Sequence, residues 1–268
     1  MLINVFEQYN RICEKAYIDN PNIDFESAEF EQILSECQKQ WGLYTPEQGK
    51  IPVKDWLESL EFKELVSVYE RFCMGDFPVP VDILRALDVF KERTWSYLAG
   101  HAFKMMERKG LPEVDLSIQG MKALGRLKRT EYIPEMIAYI KMLPDEEDLF
   151  IESVAEGLME MGCYAIDPLM ECITQADEIN NSMEYVLQVL SQLGRDHKKS
   201  EIFNCLKTTF LKMKNKDLGA LCIAEYNDIR GIAFLRSWLE RHKSHLSREI
   251  YFEVLHCIKA MGGRVDLF

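Results

Sequence analysis

The histidines are the first residues of this chain to examine for chemistry. They are His101, His197, His242, His245 and His256. His242 and His245 are three residues apart, and zinc accepts imidazole ligands at such spacing. However, this pair straddles the end of a predicted helix, where the helix dipole favours histidine. His256 and Cys257 follow one helix later, but no carboxylate or second cysteine completes a ligand pattern, so we expect no metal site.

Cys163 is the best-placed candidate nucleophile because it follows Gly162 in a predicted turn. A nucleophilic cysteine needs a neighbouring base that lowers its pKa, and no histidine is close in the sequence. The sequence also has no glycine-rich phosphate loop, no Walker lysine motif and no Gly-x-Ser-x-Gly elbow. We therefore expect a protein that is not an enzyme and needs no cofactor.

Two charged clusters could bind partners. The acidic run at residues 145–148 could bind a cation or a basic partner, but we favour a solvated turn between repeats that caps and charges the start of the next helix. A basic cluster in the last third could form the stripe that nucleic-acid binding requires, or a solvated lysine-rich face. Its members are Lys198, Lys199, Lys207, Lys212, Lys214, Lys216, Arg230, Arg236, Arg241 and Lys243.

The net charge of −12 is unevenly distributed along the 268 residues. Residues 1–80 contain 7 lysines and arginines against 15 acids, and residues 81–180 contain 11 against 19. Residues 181–268 reverse the balance, with 14 against 10. A general nucleic-acid binder carries a basic face, so only the last third could contact phosphate. The acidic remainder favours a basic protein or peptide partner.

The cysteines and the apolar runs indicate a cellular setting. Four of the eight cysteines, Cys172, Cys205, Cys222 and Cys257, lie among apolar residues in helical patterns, and no Cys-x-x-Cys occurs. We expect free thiols in a reducing, cytoplasmic compartment. No apolar run approaches the roughly 20 residues that span a bilayer. The first residues do not resemble a signal peptide, so we expect no membrane association.

A repeat positions these residues. A helix-ending residue recurs at spacings of 37, 32, 33 and 35 residues, at Gly125, Gly162, Gly194, Asn227 and Gly262. An apolar residue lies four positions before each, at Met121, Leu158, Leu190, Ile223 and Ile258. A period in this range is typical of stacked helical pairs. Glycine and asparagine adopt the left-handed conformation that ends a helix at low cost, so we expect it at all five positions.

Helical periodicity covers almost the whole chain. Three helices at about residues 1–18, 24–40 and 53–73 would form an N-terminal helical cap, residues 1–80. The repeat domain, residues 81–268, would follow and form one continuous structural unit with it. Its predicted helices lie at 81–91 and 94–109, the latter stopped by Gly110. Each repeat has a first helix, A, and a second helix, B. The B helices are predicted at 133–143, 166–175, 199–214 and 231–242. The last predicted helix, at 248–261, is an A helix.

Two segments carry a family resemblance. Residues 123–140 (ALGRLKRTEYIPEMIAYI) and 158–173 (LMEMGCYAIDPLMECI) share an apolar helix, a Leu-Gly or Met-Gly ending, a turn, and an Ile-Pro or Asp-Pro helix start. This pattern resembles HEAT-type repeats, above all the short class first noted in phycobilin lyases. The resemblance implies an all-α protein, an α-solenoid of stacked antiparallel helix pairs. It covers roughly residues 81–268 and weakens after the second segment, where Asn227 replaces the glycine.

The family includes binding scaffolds, lyases, a hydroxylase and DNA glycosylases, so the resemblance leaves function open. The HEAT-like hydroxylases bind iron through His-Glu pairs, and no histidine here is followed by glutamate. Our first hypothesis is a non-catalytic protein-interaction scaffold, or an inhibitor-type binding protein, that uses the concave face lined by B helices. The contact residues that we predict there, as non-core positions, are Glu135, Tyr139, Glu171, Lys207, Arg236 and Trp238.

Two alternatives remain open. The chain could act on nucleic acid, in the manner of the HEAT-like alkylpurine DNA glycosylases, if Lys207, Lys212, Arg236 and Arg241 converge on one face around an acid flanked by aromatic residues. It could also be a lyase or chaperone for a pigment-like small molecule. The tryptophans, including Trp238, could be recognition anchors or core residues.

Overall fold

The computed structural model describes residues 2–24, 27–46, 50–104 and 111–264. Every regular element in these ranges is helical, and they contain no strand. The predicted all-α class is therefore confirmed. The chain forms two compact units, Met1–Leu127 and Lys128–Phe268, which we call the N-terminal unit and the C-terminal unit.

The N-terminal unit contains seven α-helices in its described residues. They are α1 (Leu2–Asp19), α2 (Ala28–Leu43), α3 (Val53–Glu58), α4 (Phe62–Cys73), α5 (Val81–Asp88), α6 (Glu92–Ala102) and α7 (Leu111–Arg126). Aromatic side chains from three of these helices form its core. Phe72 packs edge-on against Trp41, with ring centroids 5.3 Å apart, and the Trp41 indole N–H donates to the Val5 carbonyl at 2.9 Å. Burying the rings stabilises the unit, and the hydrogen bond to Val5 offsets the cost of burying the indole donor.

One helix predicted at residues 53–73 is in fact two, because the chain breaks at Ser59–Glu61. The Glu64 carboxylate accepts a 2.9 Å hydrogen bond from the Glu61 backbone N–H. This local contact satisfies a donor at the start of α4 and favours a new helix start there. The helix stop predicted at Gly110 lies outside the described residues.

The C-terminal unit contains the helices of the repeat. They are α8 (Ile133–Met142), α9 (Asp148–Met161), α10 (Ile166–Gln175), α11 (Asn181–Asp196), α12 (Ser200–Lys212), α13 (Lys216–Tyr226), α14 (Ile229–His242) and α15 (Arg248–Ala260). Short 3-10 turns, Thr130–Tyr132 and Gly162–Ala165, precede α8 and α10. The predicted B helices correspond to α8, α10, α12 and α14, with ends that differ by no more than two residues.

Helix packing in the C-terminal unit follows the order of the repeat. Helices α9, α11, α13 and α15 each pack on the next in that series, and α8, α10 and α12 do the same. Each B helix also packs on the A helix that follows it, as α10 does on α11 and α12 on α13. Helices α5 to α7, which the sequence grouped with the repeats, belong to the N-terminal unit. The domain boundary predicted after residue 80 stays a prediction.

Three of the five helix-ending positions have the expected positive φ. They are Gly162 (68°), Asn227 (53°) and Gly262 (85°). The expectation was wrong at Gly125 and Gly194, because α7 and α11 continue past them. At Gly194 the small residue serves close packing instead: an added Cβ would lie 3.0 Å from the Tyr226 ring and 3.1 Å from Ile202 Cγ2.

Candidate interaction surface

The structure separates the six predicted contact residues into exposed and buried positions. Glu135, Glu171 and Lys207 are exposed on B helices, and Arg236 is partly exposed. Tyr139 and Trp238 are buried, with 3% and 4% of their surface accessible, so their assignment as non-core positions was wrong. Their helix phase explains this, because each lies three residues after a fully buried residue, Met136 and Leu235, and so on the same helix face.

Trp238 is a core residue of the C-terminal unit. Its ring packs edge-on against Phe210 at 4.9 Å and stacks on the His242 imidazole at 4.8 Å. His242 Nδ1 lies 2.7 Å from the Trp238 carbonyl oxygen, within its own helix. His242 is thereby held at the end of α14. Among the described residues, no group of histidine, cysteine and carboxylate side chains is arranged to hold a metal ion.

The basic residues of the B helices make local contacts. The Lys207 ammonium lies over the Phe234 ring at 5.5 Å, the Arg236 guanidinium donates to the Arg264 carbonyl, and Arg241 Nε donates to the Ser237 carbonyl at 2.9 Å. These contacts hold the three cationic side chains against other residues of the C-terminal unit.

The B-helix side also has a groove of about 290 Å³ between α10 and α12. Thr174, Asn204, Cys205 and Thr208 line it, and Glu201 and Lys212 contribute one charge of each sign. The exposed charges of this side are likewise mixed, as Glu135, Glu171 and Lys207 show. It therefore offers no single-sign field to a partner.

The A helices present a different surface. Glu152, Glu156 and Glu160 lie ten, six and two residues before Gly162, and all three are exposed along α9. Residues four apart lie on the same face of a helix, so these glutamates form one row. The same three positions before Gly194 and Asn227 include Glu184, Asp217 and Glu225. We call these six residues the acidic ridge.

Contacts between neighbouring A helices show that the rows adjoin one another. Burial and the nearby carboxylates of Glu152 and Asp148 raise the pKa of the Tyr185 phenol on α11, so α9 and α11 share this surface. The side-chain amide of Asn215, the N-cap of α13, donates to Glu184 at 3.1 Å. The acidic ridge thus runs across α9, α11 and α13.

Two ion pairs neutralise the C-terminal ends of this ridge. Glu160 lies 3.4 Å from the Lys128 ammonium, and Glu225 lies 3.0 Å from the Arg195 guanidinium. At the opposite end Asp217 has two acidic neighbours, Glu253 and Glu249, whose charges add to the effect of burial and raise its pKa. The negative field of the ridge is therefore concentrated near the helix starts, where like charges meet.

The acidic run at residues 145–148 lies at that same end. Asp148 is the first residue of α9, as expected for a carboxylate at a helix start. Its Oδ1 also accepts a 2.7 Å hydrogen bond from the Asn181 amide at the start of α11. The run therefore contributes both to a helix start and to a contact between A helices.

Comparison with known proteins gives no assignment. No family model, no curated protein and no solved structure matches this chain. In the described residues no helix is both long and apolar enough to cross a membrane. The candidate surface therefore rests on the geometry of the chain itself.

The cysteines are unpaired in the structure. Cys172, Cys222 and Cys257 are buried, Cys205 is partly buried, and Cys163 is exposed in the turn before α10. Burial raises the pKa of the Cys222 thiol to about 12 and that of Cys257 to about 11, which keeps both thiols protonated.

Sequence reasoning missed the acidic ridge, although its signal is present. Glutamates at positions 152, 156 and 160 show the four-residue spacing of one helix face. We placed the contact residues on B helices because such helices line the concave face in solenoids. We had predicted where the A helices lie, but we did not examine which of their residues are exposed and acidic.

Proposed function

We propose that this protein is a non-catalytic interaction scaffold that binds a basic protein or peptide through the acidic ridge. The observation that carries the proposal is the row Glu152, Glu156 and Glu160, exposed along one face of α9 and extended by Glu184 and Asp217 on the helices that pack beside it. The six acids of the ridge outnumber Lys128 and Arg195, the two cations paired with it, so the surface has an excess of negative charge. Such an excess attracts a basic partner and accelerates its association.

The proposal includes a HEAT-like solenoid of stacked antiparallel helix pairs in the C-terminal unit. The serial packing of α9, α11, α13 and α15, together with that of α8, α10 and α12, supports two layers of helices. In such repeats each unit contacts mainly its neighbours, which gives an extended surface with regularly spaced side chains. An extended basic segment could contact several rows of the ridge at once.

The B-helix face is the competing surface. It includes the predicted residues that are accessible, Glu135, Glu171, Lys207 and Arg236, but it combines both signs of charge. A basic partner gains little from a face on which attraction and repulsion alternate. We therefore assign the partner to the acidic ridge, and the two faces can be compared directly.

The test uses matched charge reversals on the two faces. The ridge variant is E152K/E156K/E160K, and the control is E135K/E171K/E201K on α8, α10 and α12. All six positions are exposed, so both variants should fold, which circular dichroism and thermal melting will verify. The probe is a fluorescent oligolysine peptide, titrated at low and at moderate salt.

We expect oligolysine to bind the native protein with an affinity that falls as salt rises, because the contacts are between exposed charges. The ridge variant should bind about tenfold more weakly or worse, and the control should lose much less. Equal losses in both variants would contradict the ridge assignment. Binding of a short duplex DNA instead of oligolysine would favour the alternative, a nucleic-acid-acting protein that uses the basic last third.

A further inference from the structure

The end of the A-helix surface formed by α13 and α15 differs from the rest of that surface. Six residues before the helix-ending residue, α9 has Glu156 and α11 has Gln188, whereas α13 has Leu221, which is 53% exposed. Ten residues before it, α9, α11 and α13 have acids, whereas α15 has Phe252, which is 52% exposed. Two large apolar side chains thus take the place of polar ones in neighbouring rows.

Among the described residues, the side-chain hydrogen bonds that join neighbouring A helices do not continue from α13 to α15. Asn181 at the start of α11 donates to Asp148 at the start of α9, and Asn215 before α13 donates to Glu184 at the start of α11. At the next step the residue before α15 is Ser247, whose hydroxyl accepts from its own helix at Ile250.

Asp217 therefore lacks the donor that Asp148 and Glu184 have. Its Oδ1 is buried and accepts no hydrogen bond from any residue that the structure describes. Its charged neighbours on the adjacent helix are Glu249 and Glu253, both exposed. Asp217 lies four residues before Leu221 on α13, and Glu249 and Glu253 lie three residues before and one residue after Phe252 on α15. The two exposed apolar side chains therefore lie on helix surfaces that also have acids.

We propose that Leu221 and Phe252, with Asp217, Glu249 and Glu253 around them, dock a basic amphipathic helix of a partner protein. This inference rests on the proposed function and names the partner's chemistry at one end of the same surface. An apolar centre inside a charged rim is the usual composition of a protein interface. The partner's leucine-sized side chains cover Leu221 and Phe252, and its lysines or arginines reach the three carboxylates.

Charge complementarity determines the occupant. Three carboxylates near one another disfavour an acidic or a neutral partner, because covering them would remove water without supplying an opposite charge. The Arg248 guanidinium lies 5.6 Å from the centre of the Phe252 ring and leaves that ring half exposed. An amphipathic helix supplies apolar and basic groups at a spacing of three to four residues, which matches rows that are four residues apart.

The experiment compares three synthetic peptides of equal length in titrations against the full chain. One contains leucine and lysine at helical spacing, one contains lysine alone, and one has glutamate in place of every lysine of the first. We expect the leucine–lysine peptide to bind at least about tenfold more tightly than the lysine peptide. The leucine–glutamate peptide should not bind.

The variants test the assigned residues. L221S/F252S should reduce the affinity for the leucine–lysine peptide to that for the lysine peptide, whereas L211S, at a comparably exposed leucine of α12, should leave it unchanged. E249Q/E253Q provides a second variant at exposed positions in case the first is unstable. It should weaken binding of the leucine–lysine peptide about tenfold at low salt and less at high salt.

Failure of this inference and failure of the proposed function give different results. If the lysine and leucine–lysine peptides bind equally and L221S/F252S changes nothing, while E152K/E156K/E160K weakens both, the docking site is overturned and the acidic scaffold stands. If neither peptide binds at low salt, both proposals are overturned. Binding of the leucine–lysine peptide that survives L221S/F252S and E249Q/E253Q also overturns the docking site.

Discussion

The side-chain amide of Asn215 joins two helices of the C-terminal unit. Its Nδ2 donates a 3.1 Å hydrogen bond to Glu184 on α11, while its Oδ1 accepts a 3.2 Å bond from the Leu218 backbone N–H at the start of α13. One residue therefore both caps a helix and connects that helix to its neighbour. Asn181 makes a similar connection to Asp148 one repeat earlier.

We predict that N215A lowers the free energy of unfolding by about 1–2 kcal/mol, because it removes an N-cap and a hydrogen bond to a carboxylate. N215D separates the two roles, since aspartate caps the helix but repels Glu184. Urea denaturation should place N215D between the native protein and N215A. If N215A is as stable as the native protein, this contact does not stabilise the packing of α11 on α13.

Gly194 provides a second test, of close packing. An added Cβ would lie 3.0 Å from the Tyr226 ring, which is fully buried and cannot move away freely. We predict that G194A lowers the free energy of unfolding by about 1–3 kcal/mol through overpacking.

Gly100, in the last turn of α6, is the matched control because an added Cβ there meets no atom within 4 Å. Alanine has the higher helix propensity, so G100A should raise stability by about 0.5–1 kcal/mol. Thermal melting of both variants checks the opposite signs. A destabilised G100A or a neutral G194A would contradict this account of the two glycines.

Much of the helix pattern was predictable, because helix starts, helix ends and apolar spacing are local properties of the sequence. The predicted helix at 166–175 coincides with α10, and proline in the first turn of α8 and α10 indicated where each begins. The break between α3 and α4 was missed. It depends on a hydrogen bond between Glu61 and Glu64, which hydrophobic periodicity does not register.

The candidate surface was less predictable, because exposure depends on which neighbouring helix covers a residue. Tyr139 and Trp238 were assigned to a binding face, but both are buried, and Trp238 packs against Phe210 of the neighbouring helix α12. Gly194 and Gly162 occupy the same position in the repeat but have different roles. At Gly194 the absence of a side chain makes room for the ring of Tyr226 in the next repeat. Contacts of this kind join residues about thirty positions apart, so a local pattern does not contain them.

Asp217 leads to a prediction about pH. Burial and the carboxylates of Glu253 and Glu249 raise its pKa above the ordinary value of 3.8, so the folded state binds this proton more tightly than the unfolded state does. The native protein therefore loses stability as pH rises from about 3.8 through the raised pKa. D217N removes this loss and should be more stable at neutral pH by a few tenths of a kcal/mol.

Glu178 is the control of opposite sign. Its 2.7 Å contact with the Lys214 ammonium lowers its pKa below 4.5, so this pair stabilises the fold above that pH and loses its effect as the carboxylate is protonated. E178Q should therefore lose stability at neutral pH and match the native protein in acid. Urea denaturation from pH 3 to 7 measures both variants. A D217N advantage that grows toward acid would contradict the environment described for Asp217.

Thiol labelling tests the burial of the cysteines. Cys163 is exposed in the turn before α10, whereas burial raises the pKa of Cys13, Cys73 and Cys222 to about 12, so they have little reactive thiolate at neutral pH. We predict that a maleimide labels the native protein rapidly at Cys163 and that C163S abolishes this fast phase. Labelling in urea should then modify all the cysteines that remain. Mass spectrometry of the digested protein identifies each modified residue, and rapid labelling of Cys222 in the native state would show that α13 is not packed as described.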